Sequence, residues 1–388
     1  MKSFFQIILL VFIVVHQAYA NLHFLTISDI HYDKKNTSSD GQDTGTEFLK
    51  ISLNKMKQLS KNIEFIIFLG DIPSHALFNN NKEEDEKIIF HGLYQSNVKA
   101  KPLFYITGNN DSLQGDYQAF EFNGVSPLTY ATDWEGACVH CKDLVIDSSH
   151  MYHDGYYSSY VMPHNREIIL IALNANQWAK IPWLARIFFS KYSKQEENAL
   201  AQFAWLEQQL KKHSAKQLLI AMHEPPGNSY LGEPIWYRHY TQQFIKILAK
   251  YTHQYGQITL LSAHTHMEEF RKIRLANGIN IYSYSTPGIS RIHHNYPGMK
   301  IFNLDNNLKI KDFITYYTSS LHQWNNQQYH ALGTPEAIFA DCQNKTLAQC
   351  MDELNVYQLC NHLDRGLFYG VKNPNVRDTS CKNTYLVN

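Results

Sequence analysis

Seven side chains in five short blocks of this sequence are of the types that bind transition metals. The blocks read SDIH, FLGD, TGNND, AMHEPP and SAHTH, and the candidate ligands are Asp29, His31, Asp71, Asn109, His223, His264 and His266. A mixed set of nitrogen and oxygen donors suits Zn better than Mg or Ca, with Mn and Fe as alternatives. The set is large enough for two divalent metal ions if the carboxylate of Asp71 bridges them.

Nearly every block comes directly after a run of apolar and β-branched residues. The runs are LHFLTIS, EFIIFLG, PLFYITG, QLLIAM and ITLLSA, which are typical of buried strands in an α/β sheet. Binding crevices of open α/β sheets lie at the carboxyl ends of the strands, so we expect the five strand ends to bring the ligands together. Gly70 and Gly108 precede two of the ligands and allow a sharp turn out of the strand.

Helical periodicity alternates with these strands over residues 21–322. The predicted helices are Glu47–Leu59, Glu83–Gln95, Glu196–Lys212 and Tyr240–Tyr255. Further along, EFRKIRL, INIYSYS, KIFNL and IKDFITYY follow one another through short turns and predict an antiparallel second sheet, and HDGYYSSYVM with REIILIALN predicts another strand pair. The pattern predicts an α/β fold of four layers, an α/β/β/α sandwich.

Residues 323–388 differ in character from the rest of the chain. Helical patterns dominate there, in PEAIFADC and TLAQCMDELNVYQLC, and four of the six cysteines lie in this part. We expect a small helical extension that packs on the core.

The first twenty residues have the parts of a cleaved signal peptide. Lys2 supplies the positive charge, FFQIILLVFIVV the apolar core, and AYA, ending at Ala20, the cleavage site. The mature chain is therefore expected to be secreted, periplasmic or lumenal, with no stable membrane anchor and as a monomer.

Six cysteines in an exported chain indicate disulfides, and they allow 15 pairings. We expect the sequential pairing, Cys138–Cys141, Cys342–Cys350 and Cys360–Cys381. The alternative, a redox or zinc pair at the C-x-x-C, lacks a second C-x-x-C. The formal net charge is zero, which argues against a groove for a nucleic-acid duplex.

The ordered blocks D-x-H, G-D, G-N, H and H-x-H resemble those of the calcineurin-like metallophosphoesterase superfamily. The resemblance implies that one metal ion is held by Asp29, His31, Asp71 and His266. It implies that the other is held by Asp71, Asn109, His223 and His264. It also implies a hydroxide, bridging the two ions, that attacks phosphorus.

Further sequence segments resemble the acid sphingomyelinase-like phosphodiesterase branch, and the resemblance extends over most of the mature chain. These segments are GDIPSH, AHTHMEEF and STPGIS followed by NYPGMKIFNLD. The implied activity is phosphodiester hydrolysis, on a small phosphodiester, a nucleotide or a lipid headgroup such as phosphocholine. The purple acid phosphatase pattern is incomplete, which argues against a tyrosinate–iron centre. No saposin-like lipid-presenting domain precedes the catalytic region, so we expect a soluble substrate rather than membrane-embedded sphingomyelin.

Candidate catalytic and substrate-binding residues lie around these blocks. Asn110 stands where the family often has a histidine that helps to protonate the leaving group, and it either contacts substrate or shapes the turn. His75 is the best substitute as the acid, the alternative being a hydrogen bond to a metal ligand. Arg291, His293 and His294 could reach the substrate phosphate or headgroup, or could lie in a solvated loop.

Three functions remain open on the sequence. A metallophosphodiesterase is the prediction. A phosphomonoesterase or nucleotide pyrophosphatase on the same metal centre is the first alternative, and a secreted binding protein with weakened turnover is the second. A histidine acid with an ordinary pKa of about 6.5 would favour a mildly acidic optimum.

Overall fold

The structure is a computed structural model that describes residues 22–76, 81–181, 195–342, 344–370 and 386–388. The predicted signal peptide and Cys381 lie outside these residues. No helix among the described residues is both long enough and apolar enough to cross a membrane.

The described residues form fifteen strands and six α-helices, numbered in chain order. The strands are β1 (His23–Ile27), β2 (Phe65–Phe68), β3 (Leu103–Tyr105), β4 (Cys138–Val139), β5 (Val145–Asp147), β6 (Tyr157–Met162), β7 (Asn165–Ala172), β8 (Ala215–Ala221), β9 (Tyr255–Ser262), β10 (Phe270–Arg274), β11 (Asn280–Ser285), β12 (Gly298–Leu304), β13 (Ile310–Tyr317), β14 (Gln327–His330) and β15 (Leu386–Val387). The helices are α1 (Thr46–Leu59), α2 (Lys82–Ser96), α3 (Gln195–Lys212), α4 (Arg238–Tyr251), α5 (Leu347–Glu353) and α6 (Val356–Gly370).

The strands form two mixed sheets. The first has the order β14-β13-β12-β1-β2-β3-β4, and the second has the order β15-β10-β11-β9-β8-β7-β6-β5. Parallel pairing occupies the middle of each sheet, at β1-β2-β3 in the first and at β7-β8-β9-β11 in the second. The carboxyl ends of five of these strands, β1, β2, β3, β8 and β9, carry the predicted ligands.

Residue alternation in the central strands explains the four layers. In β8, Leu219 and Ala221 pack in the core shared with the first sheet, whereas Leu218 and Ile220 pack in the core that also contains residues of α3 and α4. Successive side chains of a strand point to opposite faces, so an uninterrupted apolar run is buried on both sides. With α1 and α2 contributing to the core of the first sheet, the layers are α/β/β/α, as predicted.

The prediction of one antiparallel second sheet from four late segments is wrong. β10 and β11 are an antiparallel pair in the second sheet, but β12 and β13 join the first sheet, where β12 pairs antiparallel with β1. Short turns in the sequence indicate hairpins but do not tell which sheet a hairpin joins. The segment of residues 286–297 is long enough to cross from one sheet to the other.

The chain after residue 322 contains strands as well as helices. α5 and α6 cover most of TLAQCMDELNVYQLC, but PEAIFADC forms turns instead of the predicted helix. The backbone N–H groups of Ile338 and Phe339 donate to the carbonyls of His330 and Ala331, so they are not available for helical bonds. β14 extends the first sheet and β15 pairs with β10 in the second.

Two disulfides of the expected set are present, Cys138–Cys141 and Cys342–Cys350. Cys360 is also disulfide-bonded. The first disulfide closes a short loop at β4, the edge strand of the first sheet, and the second links the turn before α5 to that helix.

Candidate metal centre

The seven predicted ligands follow five parallel strands that belong to two sheets. Asp29 and His31 follow β1, Asp71 follows β2 and Asn109 follows β3, all in the first sheet. His223 follows β8 in the second sheet, and His264 and His266 follow β9. The structure thus brings together ligands from both sheets at the edge where their parallel strands end.

Five of the seven residues have a left-handed backbone, a conformation that non-glycine residues rarely adopt. Their φ angles are 47° for Asp29, 43° for His31, 62° for Asp71, 72° for His264 and 60° for His266. Such conformations cost on the order of 1–3 kcal/mol each and persist where the surroundings enforce them, which is common at functional sites. The strained turns redirect the chain so that the side chains converge.

Two glycines allow the turns after β2 and β3 to touch. Gly70 has φ of 87°, and a Cβ there would come within 2.5 Å of the backbone nitrogen of Gly108. A Cβ at Gly108 would lie 2.1 Å from Oδ1 of Asp71. A side chain at Gly70 would therefore force the two turns apart, and one at Gly108 would displace Asp71 itself.

The carboxylates of Asp29 and Asp71 are surrounded by imidazole nitrogens. Oδ2 of Asp71 lies 3.1 Å from Nε2 of His223 and 3.4 Å from Nε2 of His31. Oδ1 of Asp29 lies 3.4 Å from Nε2 of His266 and 3.5 Å from Nε2 of His223. These are separations at which one cation can contact a carboxylate and an imidazole together.

Three overlapping groups of side chains have ligand atoms that all lie within 4.8 Å of one another. The groups are Asp29 with His31 and Asp71, Asp71 with His223 and His264, and His31 with His75 and His266. Asp71 and His31 each belong to two of them. Of the two, only Asp71 is a carboxylate, whose two oxygens can bridge a pair of ions.

The second ring nitrogen of each histidine is held by a polar group. Nδ1 of His31 bonds to the carbonyl oxygen of Pro73 at 2.9 Å. In the same way, Nδ1 of His223 bonds to the carbonyl oxygen of Leu69 at 2.6 Å, and Nδ1 of His266 bonds to the carbonyl oxygen of Ser290 at 3.3 Å. Histidines that bind metals commonly donate their other N–H in this way, which fixes the tautomer and the ring. Nε2 of each is then the atom free to bind a metal ion.

His264 and Asn109 are linked directly to each other. Nδ1 of His264 lies 2.9 Å from Oδ1 of Asn109, and the amide nitrogen of Asn109 donates to Asp116 at 2.6 Å. The bond to Asp116 turns the Asn109 oxygen, the only metal-binding atom of that side chain, toward His264. A positive ion could then contact both.

The donor set fits cations. Both carboxylate oxygens of Asp29, and Nε2 of His31 and His223, are buried and have no hydrogen-bond partner within the described parts of the chain. A buried carboxylate without a partner is unstable by several kcal/mol, and a divalent ion removes that cost. The seven residues would hold two such ions with the assignment given above.

The pKa values of the buried side chains reflect the proximity of carboxylates and imidazoles in the centre. Burial acts to raise the pKa of Asp29, but the charges of His266 and His223 outweigh it and hold that pKa below its usual value. Burial acts to lower the pKa of His31, but the nearby carboxylates of Asp29, 3.8 Å from Nε2, and Asp71 raise it to about 9. Burial, followed by the charge of His223, lowers the pKa of His264 to about 3.

His75 lies at the mouth of this centre. Its ring packs against that of His31 with centroids 3.9 Å apart and the planes tilted by 30°, and its side chain is 34% exposed. Nδ1 of His75 lies 3.0 Å from Oδ1 of Asp43, and the backbone N–H of His75 donates to Oδ2 of the same carboxylate at 2.9 Å. Its hydrogen-bond partner is thus Asp43 and not a predicted metal ligand.

Asn110 is turned toward the centre of the ligand set rather than toward solvent. Its backbone N–H donates to Oδ1 of Asp71 at 2.9 Å, and its amide nitrogen donates to Oδ2 of Asp71 at 3.1 Å. The side chain is buried. Asn110 therefore supports the turn and the central carboxylate, and it offers no proton at the mouth.

The three candidates for substrate binding lie in different surroundings. The His293 ring packs edge-on against His266, with centroids 4.6 Å apart, and lies 5.9 Å from the ring of His75. His294 turns away and bonds Asp40 at 3.2 Å. Arg291 is buried, and Nη1 donates to the carbonyl oxygen of Ser319 at 3.5 Å. His293 alone of the three contacts the centre.

Three carboxylates that support the site were not identified in the sequence. They are Asp43 behind His75, Asp111 behind Asp71, and Asp116 behind Asn109. Asp111 is the last residue of the block TGNND, directly after Asn110, so that block could have identified it. Asp43 and Asp116 lie in loops without any periodic or motif signal.

Comparisons with known proteins agree with this geometry. The family model for calcineurin-like phosphoesterases matches residues 22–268. A curated protein of Dictyostelium discoideum named sphingomyelinase phosphodiesterase D is 25% identical over 299 residues, which cover 73% of this chain and 62% of that protein. This chain thus spans less than two thirds of the length of that relative. The resemblance found in the sequence motifs is confirmed.

Solved structures with a similar arrangement have low sequence identity. A dimetal phosphatase from Danio rerio is 11% identical with a TM-score of 0.46, over 76% of this chain and 95% of that one. A purple acid phosphatase from yellow lupin (Lupinus luteus) is 10% identical with a TM-score of 0.41, over 80% of this chain and 53% of that one.

Proposed function

The chain belongs to the calcineurin-like phosphoesterase family, and from this premise we propose that it is a phosphodiesterase with two divalent metal ions. Zn is the favoured metal because imidazole nitrogens make up most of the donor set, with Mn and Fe as alternatives. The substrate class is a phosphodiester, such as a nucleotide-like or phosphocholine-type ester.

The observation that carries the proposal is the shared position of Asp71. Its carboxylate belongs to two groups of potential ligand atoms, one with Asp29 and His31 and the other with His223 and His264. It is 1% exposed and receives two hydrogen bonds from Asn110. A carboxylate held so firmly between two sets of donors is suited to bridge a pair of cations.

Two divalent ions, held by the residues named above, would orient the phosphate, offset its charge and lower the pKa of a nucleophilic water molecule. The residues of this chain hold the geometry for that attack. Hydrogen bonds at Nδ1 fix the rings of His31, His223 and His266, so that the donor atoms do not rearrange when substrate binds. Asn110 fixes Asp71 in the same way.

His75 is the proton donor of the proposed reaction. Its exposed ring edge at the mouth can reach the leaving oxygen, and the proton on Nε2 passes to that oxygen as the P–O bond breaks. General acid catalysis of this kind typically accelerates a reaction by about 10²–10⁴-fold. His293, next to His75 and His266, is the substrate-contacting member of the late loop.

We also propose that the chain is secreted and that it consists of a catalytic domain and an extension. The predicted leader of residues 1–20 and the disulfides, Cys138–Cys141 and Cys342–Cys350 among them, are suited to an oxidising compartment. The proposed arrangement is a catalytic domain of residues 21–322 and a smaller cysteine-containing extension of residues 323–388. A monomer without a membrane anchor, acting on a soluble substrate, is the expected form.

The leading alternative is a phosphomonoesterase or a nucleotide pyrophosphatase on the same centre, since the metal ligands alone do not distinguish monoesters from diesters. A binding protein with weakened turnover is the second alternative, because Asn110 replaces a histidine. The direct bonds from Asn110 to Asp71 favour an enzyme, since they assign that asparagine to the support of the central carboxylate.

The test uses the purified mature chain. Metal content is measured after refilling with Zn or Mn, and turnover is compared for bis-p-nitrophenyl phosphate, p-nitrophenyl phosphate, CDP-choline, a nucleoside triphosphate and sphingomyelin. We expect two ions per chain and faster turnover of diesters, both lost in Asp71→Asn. Fewer than two ions per chain, together with normal turnover in Asp71→Asn, would refute the proposal.

A further inference from the structure

We propose that Asp43 is a positioning residue that holds the His75 imidazole in the orientation needed to protonate the leaving group. The inference rests on the proposed function. It concerns a side chain outside the metal ligand set, in the loop that joins β1 to α1.

Both oxygens of Asp43 bind the same residue. Oδ2 accepts the backbone N–H of His75 at 2.9 Å, and Oδ1 lies 3.0 Å from Nδ1 of its ring. The two bonds fix the backbone and the ring together, so the imidazole cannot rotate about its side-chain torsions without losing one of them. The Asp43 side chain is 6% exposed, so water does not compete for these positions.

A third bond ties this pair to the metal centre. Oγ of Ser290 donates to Oδ1 of Asp43 at 2.8 Å. The backbone N–H of Ser290 donates to the carbonyl oxygen of Asp29 at 2.8 Å, and its own carbonyl oxygen binds Nδ1 of His266 at 3.3 Å. Asp43 thereby connects His75 to the two segments that carry Asp29 and His266.

The orientation of the ring decides which nitrogen faces the reaction. Because Nδ1 is directed to Asp43, Nε2 is the nitrogen that lies toward the centre. A ring nitrogen of His75 lies within 4.8 Å of ligand atoms of His31 and His266, so the ring is beside the residues at which the proposed reaction takes place. A ring rotated by half a turn would offer no donor there.

The effect should depend on the leaving group. When a P–O bond to an alcohol breaks, the electron pair stays on the alkoxide oxygen, which takes the proton from Nε2, and the neutral ring regains a proton from water. Nitrophenolate is stable without that proton. A positioned acid therefore matters for unactivated alcohols and little for nitrophenol.

The experiment compares the metal-loaded wild type with Asp43→Asn, His75→Gln and the double variant. The substrates are phosphodiesters with leaving groups from p-nitrophenol to a simple alkyl alcohol. Asparagine keeps the size of Asp43 but cannot accept all three bonds. In Asp43→Asn, we expect kcat on the alkyl ester to fall by about 10²-fold or more, whereas kcat on the nitrophenyl ester and KM change little. The double variant should have the same kcat values as His75→Gln.

A matched control is available on the surface. Oδ2 of Asp133 lies 2.7 Å from Nδ1 of His91, so Asp133→Asn removes the same type of contact elsewhere and should leave the leaving-group dependence unchanged. An equal loss on all leaving groups, a loss that adds to that of His75→Gln, or a reduced metal content in Asp43→Asn would overturn the inference while leaving the proposed function intact. Absence of diester turnover in the wild type would overturn both.

Discussion

The carboxylate of Asp111 lies directly behind Asp71 and accepts its backbone N–H at 3.1 Å. The same side chain accepts the N–H groups of Ile72 at 2.7 Å and Gly108 at 2.6 Å, and the hydroxyl of Tyr105 at 2.7 Å. One buried acid thus joins the turn after β2 to the turn after β3. The strained backbone of Asp71, the central carboxylate, depends on this network.

Replacing Asp111 should therefore destabilise the protein. In Asp111→Asn the amide NH₂ faces N–H groups, and leaving a buried donor unpaired costs about 1–3 kcal/mol. We expect a lower free energy of unfolding in urea and weaker metal binding, because the turn that presents Asp71 loosens. Tyr105→Phe, which removes one donor only, should cost about 1 kcal/mol. If Asp111→Asn unfolds at the same urea concentration as the wild type, the network does not hold the turns.

Asn110 should affect metal affinity rather than the chemical step. Its amide donates to Asp71, and loss of such a bond to a metal ligand typically costs about 10–100-fold in metal affinity or activity. We expect Asn110→Ala to require more Zn for half-maximal activity, measured by titration in a metal buffer, and to approach the wild-type kcat at saturating Zn. A large fall in kcat at saturating metal, with unchanged affinity, would instead assign Asn110 to the substrate.

The sequence predicted the central strands, the four layers and the side chains that meet, because these follow from apolar runs and from residue types at strand ends. His223 and Asp71 follow strands of different sheets, yet each could be found from its own local block. The convergence of the two sheets could not be found locally. It depends on how the inner faces of the two sheets pack. A strand that is apolar on both faces does not show which face packs against the other sheet.

Supporting residues were harder to predict than ligands. Asp43 binds His75, which is 32 residues away, and Ser290, which is 247 residues away, and it lies in a loop without periodicity. Its role arises only after β1, β2 and the loop before β12 have come together. Likewise, the left-handed backbone of His264 and His266 is imposed by tertiary contacts and has no signal in residue type, since glycine would be the usual choice there.

His293 and His294 form a matched pair for testing the rim of the site. They are adjacent in sequence, but His293 contacts His266 whereas His294 bonds Asp40. We expect His293→Ala to raise KM for a small diester by about tenfold, which corresponds to about 1.4 kcal/mol, and His294→Ala to leave KM unchanged. The kinetics are measured at saturating metal. Equal effects of the two variants would show that the late loop does not contact substrate through His293.

The free energy of unfolding of the metal-free protein should fall as the pH rises from about 4 to about 6, because Asp312 loses its proton. Burial raises the pKa of Asp312 to about 6 from the usual 3.8, although the N–H groups of Phe313 and Leu332 donate to it. The folded state therefore binds more protons than the unfolded state in this range, and the free energy of unfolding falls as the proton is lost.

Asp312→Asn removes the titrating group and keeps an oxygen for the two N–H donors. Relative to the wild type, we expect this variant to gain on the order of 2 kcal/mol of stability between pH 4 and pH 7, measured by urea unfolding in the presence of EDTA. Asp133→Asn, at a surface carboxylate, is the control and should follow the wild-type profile. A variant that loses stability with pH as steeply as the wild type would show that Asp312 titrates alike in both states, which would place its carboxyl in contact with water.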